Sequence, residues 1–366
     1  MKIGIDCRLW NETGVGRYIR NLVLNLQKLD KKNEYILFAL SKDKGEILKQ
    51  VQNDKFKAIE TNIRWHTIEE QVKFPAILNR ENLDLMHFPY FSVPIFYNQS
   101  FVVTIHDLIQ NHYSSGNAST LPFPFYFLKK IGYQKVLNHA VSKSKKIIVP
   151  LYFVKEDLVK TLKVPENKIV VTQEGFDLNI KKGKVSESVL KSSQDPYFFY
   201  VGNAFPHKNL EKLIEGINSI KSKAKLLLVG KEDFFYKRLK KQSNQNLIFL
   251  HDVTDSDLFY LYSNSLAVVS ASLMEGFGLV PLEALSAGTV PVVSDIPSFR
   301  EVCGDLAIYF NPKDSDDIAE KLMKALNLKD SEREEIRKKA EMWIKKFSWE
   351  KMAKETLEVY EDSIGL

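Results

Sequence analysis

Cysteine is nearly absent. Cys7 and Cys303 are the only two in 366 residues, so the chain has no disulfide framework and no Cys-rich zinc site. No run of eighteen or more apolar residues occurs, which excludes a membrane-spanning helix. The opening string MKIGIDCRLW lacks the apolar region of a secretory signal and runs straight into a strand pattern, so a cytoplasmic protein is expected. His66, His112, His139 and His251 share no metal-ligand spacing, and no metal site is expected. The glycines at Gly14 and Gly16 are not completed to G-x-G-x-x-G, because residue 19 is Ile. That disfavours a nicotinamide-dependent enzyme.

What is present is ordinary for a soluble globular chain: 44% apolar and 27% charged residues, which argues against wholesale disorder. The length exceeds one typical core and predicts two domains. The net charge of +6 is uneven. Residues 1–180 carry 25 Lys/Arg against 18 Asp/Glu, whereas residues 181–366 carry 27 against 28. The excess concentrates between Lys129 and Lys168, with ten Lys against three acids. A basic first half suits an anionic partner, although a solvated Lys-rich surface gives the same count.

Strand and helix patterns alternate. Apolar runs at residues 2–6, 34–40, 85–88, 101–105, 146–150 and 168–172 read as buried strands, and residues 18–26 carry helical spacing. Continuous apolar runs separated by helices indicate a parallel sheet covered on both faces. The stretch from Leu178 to Pro196 is polar and Lys/Ser-rich, and reads as a linker. The alternation then restarts with strands at 197–202, 225–230, 247–250, 266–270 and 290–294. The expected organisation is a first domain over 1–180, a linker over 181–196, a second domain over 197–345 and a terminal segment over 346–366. The fold class is α/β, with two doubly wound Rossmann-like domains facing across a cleft and ligand residues at the carboxyl ends of strands.

The most informative string follows the strand ending near Ser270: Glu275-Gly276-Phe277-Gly278-Leu279-Val-Pro-Leu-Glu283. A helix is expected from about Pro281, with Gly288 just past its end. The N–H groups of Gly276, Phe277, Gly278 and Leu279 would then converge on an anion at a helix N-terminus. Glu275 on the loop and Glu283 a turn into the helix would hold different hydroxyls of one elongated ligand. The second string, Gly202-Asn203-Ala-Phe-Pro-His-Lys208, joins a strand to a helix start and suits a diphosphate. Thr13-Gly14-Val15-Gly16-Arg17-Tyr18 reads as a glycine loop that permits close backbone approach. Ile105-His106-Asp107 ends a strand and offers a polar contact or proton donor.

In this order the four strings resemble those of the family 4 glycosyltransferases, retaining nucleotide-sugar enzymes of the GT-B fold. Phe347-Ser348-Trp349-Glu350 and the helix after it resemble the family's tail, which crosses back to the first domain. The resemblance implies roles. Glu275 and the backbone at 277–279 would hold the donor sugar and its phosphates, and Glu283 the ribose. Lys208 would neutralise the leaving diphosphate, and Gly16 would approach it. His106 would face the transferred sugar, and Val253 would lie near the base. Asn203 stands where many members carry an Arg, so Lys208, Arg17 or another cation would supply that charge. No metal or other cofactor is implied beyond the nucleotide sugar itself.

The strings around Arg17-Tyr18 and His106-Asp107 are most similar to those of bacterial mannosyltransferases of surface polysaccharide synthesis. GDP-mannose is therefore the first expected donor, with UDP- and ADP-sugars open. Arg17, Tyr18 and Asp107 are acceptor-site candidates, as are the segments from Arg64 to Pro75, Pro89 to Phe91 and Tyr113 to Tyr126. An aromatic stretch running into Lys129-Lys130 suits a lipid-linked acceptor and peripheral contact with the inner membrane face. A GT-B epimerase or hydrolase is the nearest alternative. A periplasmic-type sugar binder would lack the Glu275 to Glu283 string, and nucleic-acid binding lacks a recognition motif.

Overall fold

The computed structural model describes residues 1–113, 123–176, 183–241 and 244–365, with side chains in the 123–143 helix described from residue 127. The chain divides into two compact units. One comprises Met1–Leu108, Ser119–Gly175 and Phe347–Leu366, and the other Ile109–Ala118 and Phe176–Lys346.

The first unit is built on a seven-stranded parallel sheet among the described residues. Its strands are β1 (Lys2–Asp6), β2 (Glu34–Ala39), β3 (Phe56–Glu60), β4 (Leu85–Phe88), β5 (Phe101–Thr104), β6 (Ile147–Val149) and β7 (Ile169–Val171). They lie in the order β3-β2-β1-β4-β5-β6-β7. Helix Thr13–Leu29 buries Tyr18, Ile19, Leu22, Val23 and Leu26 along one stripe, the spacing that a helix needs to cover a sheet. The C-terminal helix Trp349–Ile364 packs against it and buries Trp349, Met352, Ala353, Thr356, Val359 and Tyr360. Each large apolar side chain fully buried there contributes about 1.5–3 kcal/mol.

The second unit repeats the plan with β8 (Tyr197–Val201), β9 (Lys225–Val229), β10 (Leu247–Leu250), β11 (Ala267–Ser270), β12 (Pro291–Ser294) and β13 (Ile308–Phe310). Their order is β10-β9-β8-β11-β12-β13, again parallel. Both sheets reverse winding direction at their first strand, between β1 and β4 and between β8 and β11. Such reversal points are where open α/β sheets leave room for ligands.

Two strands were not among those expected. Edge strand β3 interrupts its apolar residues with exposed Lys57 and Glu60, whereas edge strand β13 is apolar but only three residues long. An edge has one solvated flank and does not need a continuous apolar run. Within the stretch expected to be a linker, Glu187–Ser192 forms one helical segment. It buries Val189 in the second unit's core, and the Ser186 N–H donates to Asp257 Oδ1 at 2.7 Å.

The C-terminal helix is tied to the first unit at a point that tolerates no side chain. A Cβ on Gly175 would lie 2.2 Å from the Trp349 backbone nitrogen and 2.8 Å from the Ser348 carbonyl carbon. Gly175→Ala is therefore expected to destabilise the protein by about 1–3 kcal/mol, the usual cost of overpacking. Urea denaturation followed by tryptophan fluorescence measures this. An unchanged midpoint would show that the contact is dispensable.

Candidate functional site

In the second unit the site begins where β8 ends. The Gly202 N–H donates to Val229 O, and Tyr236 OH donates to Gly202 O at 2.9 Å, so the chain leaves the sheet in a fixed direction. Asn203 turns it, with Tyr200 OH donating to Asn203 O at 2.6 Å. Pro206–Lys208 is a single 3-10 turn, and Asn209 at φ 58 separates it from helix Leu210–Ser219. Lys208 therefore sits just before the helix rather than on its first turn.

The loop after β11 meets this turn. The Leu273 N–H donates to His207 O at 2.7 Å. Lys208 Nζ and Ser272 Oγ both donate to Glu275 Oε1, each at 2.7 Å. Burial alone would raise the pKa of the Glu275 carboxyl, but the charge and hydrogen bond of Lys208 hold it below the ordinary value. The Lys208 and Glu275 side chains are each 17% exposed, so solvent still reaches the pair. Gly276, Phe277 and Gly278 are buried beside it, and Gly278 at φ +113 caps helix Leu279–Ser286 with no side-chain cap. The first-turn N–H groups of a helix have no partner within it, and the helix end carries partial positive charge. Lys208, Glu275 and this helix start thus bring a cation, a carboxylate and backbone N–H groups that lack a partner within the helix to the reversal point of the sheet.

Glu283 lies in the same helix and accepts a 2.5 Å bond from Tyr262 OH. Tyr262 is buried in helix Asp255–Asn264, so it fixes the Glu283 carboxylate from below. This partner is not evident in the sequence pattern, because Tyr262 reads as an ordinary core aromatic. Val253 follows β10 and packs, partly buried, against the cluster that includes Leu250, Leu261 and Ala284. Two Asp-x-Asp strings, Asp255 to Asp257 and Asp314 to Asp316, are both committed to helix starts. Asp257 completes a capping box with Thr254, and Asp314 accepts from the N–H groups of Asp316 and Asp317. Among the described residues no group of three or more His, Cys, Asp or Glu could hold a metal ion.

In the first unit the expected glycine loop is instead the first turn of helix Thr13–Leu29, so Gly14, Val15 and Gly16 are helical. A Cβ on Gly16 would lie 2.5 Å from Trp10 O and 2.7 Å from Leu9 O, whereas one on Gly14 would meet nothing within 4 Å. Gly16 thus lets the helix pack closely on the backbone of residues 9–10, and Gly14 is the position with open space. Tyr18 does not belong among acceptor contacts. It is buried, its OH is 3.2 Å from Thr104 Oγ1, and its ring meets His106 edge-on. Arg17 on the same turn and Asp107 after His106 are both partly exposed.

His106 follows β5 with both ring nitrogens engaged: Nδ1 lies 2.9 Å from Glu174 Oε1, and Nε2 lies 2.9 Å from Pro89 O. Burial would lower its pKa, but the hydrogen bond and charge of Glu174 outweigh burial and raise it. Glu174, buried after β7, carries no sequence signal beyond a strand end followed by Gly175. The segments around 64–66 and 89–91 do come together. His66 stacks on Tyr90 and Phe91, and Phe91 meets Tyr133 edge-on at 5.0 Å. The Tyr113 to Tyr126 candidate lies outside the described residues except for Tyr113 itself and the backbone from 123.

With this geometry in view, the similarities to known proteins are specific. Residues 13–180 match the family described as Glycosyltransferase Family 4, and residues 181–343 match the glycosyl transferases group 1. The O-antigen chain mannosyltransferase RfbU of Salmonella typhimurium is 28% identical over 255 residues, covering 68% of this chain and 67% of that protein. The O-antigen chain mannosyltransferase B of Escherichia coli is 28% identical over 292 residues, covering 75% and 74%. The structure of Anabaena Alr3699/HepE with UDP and glucose is alike with a TM-score of 0.77 at 15% identity, covering 99% of this chain and 100% of that one. A glycosyltransferase from Rickettsia africae gives 0.72 at 19% identity, covering 99% and 98%. Likeness at such identities establishes the two-domain GT-B fold, and the family matches establish the chemistry class: the chain belongs to the family 4 glycosyltransferases.

Proposed function

We propose that this enzyme transfers mannose from GDP-mannose, with retention of configuration, to a saccharide or lipid-linked acceptor in surface polysaccharide synthesis. The observation that carries this reading is the Lys208–Glu275 corner at the helix N-terminus, with Glu283 a turn further along. The names of the two O-antigen mannosyltransferase relatives favour mannose among the hexoses.

The corner suggests how donor binding proceeds. In the free protein Lys208 and Glu275 neutralise each other. A diphosphate brings two anionic groups that compete for Lys208 and for the N–H groups of the 279–286 helix. Glu275, released from Lys208, then accepts hexose hydroxyls, and Glu283 accepts those of the ribose. As the sugar–phosphate bond lengthens, charge grows on the diphosphate, where Lys208 and the helix end are already placed to stabilise it. The departing phosphate oxygen takes the proton of the attacking hydroxyl on the same face. We assign the neutralisation of the leaving group to these protein groups without a metal ion.

The acceptor reading rests on the first unit. Phe127, Leu128 and Ile131 are exposed on helix Phe123–Lys143 beside exposed Lys129 and Lys130. Apolar side chains next to lysines suit an anionic lipid surface. No helix among the described residues is long and apolar enough to cross a membrane, so such contact would be peripheral.

Three outcomes are expected. In a melting screen of nucleotide sugars, GDP-mannose raises the transition temperature most, since a ligand of the native state stabilises by mass action. A larger shift with a UDP- or ADP-sugar would reassign the donor. Glu275→Ala lowers turnover by at least about 10²-fold, the scale of losing a transition-state contact, with an unchanged circular dichroism spectrum. Wild-type turnover in that variant would remove the corner from the active site, and loss of wild-type turnover in EDTA would restore a metal. Sedimentation with phosphatidylglycerol vesicles is expected to be weakened by Leu128→Ser and by salt. Equal binding to neutral vesicles would sink the lipid-surface reading.

A further inference from the structure

His106 has an arrangement that decides its protonation. The Pro89 carbonyl can only accept, so Nε2 carries a hydrogen. One further proton lies between Nδ1 and Glu174 Oε1, and the hydrogen bond and charge of Glu174, which outweigh burial and raise the ring's pKa, favour it on Nδ1. The ring is therefore an imidazolium whose two N–H bonds are both committed to protein acceptors. It has no proton left to donate and no lone pair with which to accept one.

Glu174 is itself held in place. Gly175, next along the chain, is pressed against the first residue of the C-terminal helix, Trp349. The same helix also starts a row of contacts that ends at the histidine. Tyr360 OH is 2.6 Å from His87 Nδ1, His87 Nε2 is 2.8 Å from Thr104 Oγ1, and Thr104 is bonded to Tyr18, whose ring abuts His106. The charged or titratable groups facing His106 are thus Glu174 after β7, Asp107 beside it, Tyr18 from the N-terminal helix and His87 from β4. His87, between two hydroxyls, is pushed by burial down to about 3 and stays neutral, so Glu174 is the buried counter-charge to the imidazolium.

We propose that Glu174 is a positioning residue for glycosyl transfer, holding His106 as a fixed imidazolium so that this histidine contributes permanent positive charge rather than a transferable proton. The proposal rests on the reading of His106 as a site residue. It adds an electrostatic role and a partner, Glu174, that the motif containing His106 does not reveal.

The test uses the full chain with isotope-labelled histidine, the His106 ring signals being those missing from His106→Gln. In the wild type His106 is expected to lose its second proton only above the ordinary histidine value. Glu174→Gln keeps a hydrogen-bond acceptor but removes the charge, and is expected to lower that titration by about one pH unit or more. A group with a raised pKa is charged below it, so activity that needs the charge falls as pH rises. The alkaline limb of kcat should therefore move to lower pH in Glu174→Gln, with kcat at pH 8 reduced about 10- to 100-fold and KM for the donor from the melting screen little changed. Glu174→Asp, which restores the charge, should recover part of both. Titration of wild-type His106 at or below its ordinary value, or no movement in Glu174→Gln, overturns the proposal. A titration that moves while kcat stays constant at every pH overturns the positioning role in a different way: the pair stands, and the reading of His106 as a site residue fails.

Discussion

Winding each parallel sheet outward in both directions from its first strand imposes the constraint on which the site depends. Crossover helices cover the two faces, but at the reversal point the loops after neighbouring strands leave in opposite directions. Nothing regular closes that gap, so its edges must be held by side chains and backbone hydrogen bonds. In the second unit the gap lies between β8 and β11. The Lys208–Glu275 ion pair and the Leu273-to-His207 bond join its two edges. The groups that close the gap in the free protein are the same groups to which the proposed function assigns the diphosphate and a sugar hydroxyl.

Burial separates pairs that can exchange partners from pairs that cannot. Arg8, after β1, is 1% exposed and is bound by Asp6 at two nitrogens, by Glu70 and by Ile63 O. Its guanidinium also lies 3.8 Å over the Phe74 ring. Breaking such a buried pair leaves charge without solvent or partner, at a cost of about 3–5 kcal/mol, so this cluster is structural. Lys208 and Glu275, each 17% exposed, keep contact with solvent, which can compensate either charge if the pair opens. The sequence presents Arg8 and Lys208 alike, as cations after strands. Only packing distinguishes them.

The fold was legible in the sequence wherever both faces of a strand are covered, because a two-sided core demands an uninterrupted apolar run. Strands β1, β8 and β11 are visible for that reason and β3, broken by Lys57 and Glu60, is not; β13 is apolar but too short at three residues to stand out. The Glu275 to Glu283 string was legible because loop, helix start and both carboxylates lie within nine consecutive residues. Tyr18 was misplaced because helical spacing tells which face of the helix is buried but not that its hydroxyl finds Thr104, 86 positions away. Glu174 stands 68 positions from His106, and Tyr262 stands 21 from Glu283. Such partners are fixed by sheet order rather than by local sequence, so no motif could contain them.

The two histidines of the first unit show how much a partner's chemistry decides. His87 and His106 occupy the ends of adjacent strands, and both are largely withdrawn from water. Burial opposes charge on each. His87 meets the Thr104 and Tyr360 hydroxyls, which can donate or accept, so the ring satisfies both nitrogens while neutral. His106 meets a carbonyl and a carboxylate, neither of which offers it a proton in its ordinary state, so satisfying both nitrogens requires the cation. Hydroxyl partners therefore remove the charge, and a carboxylate supplies it. The C-terminal helix contributes to both outcomes, giving His87 its Tyr360 and pressing on Gly175 next to Glu174. A segment at the far end of the chain thus bears on the charge at the end of β5 as well as completing the first unit's core.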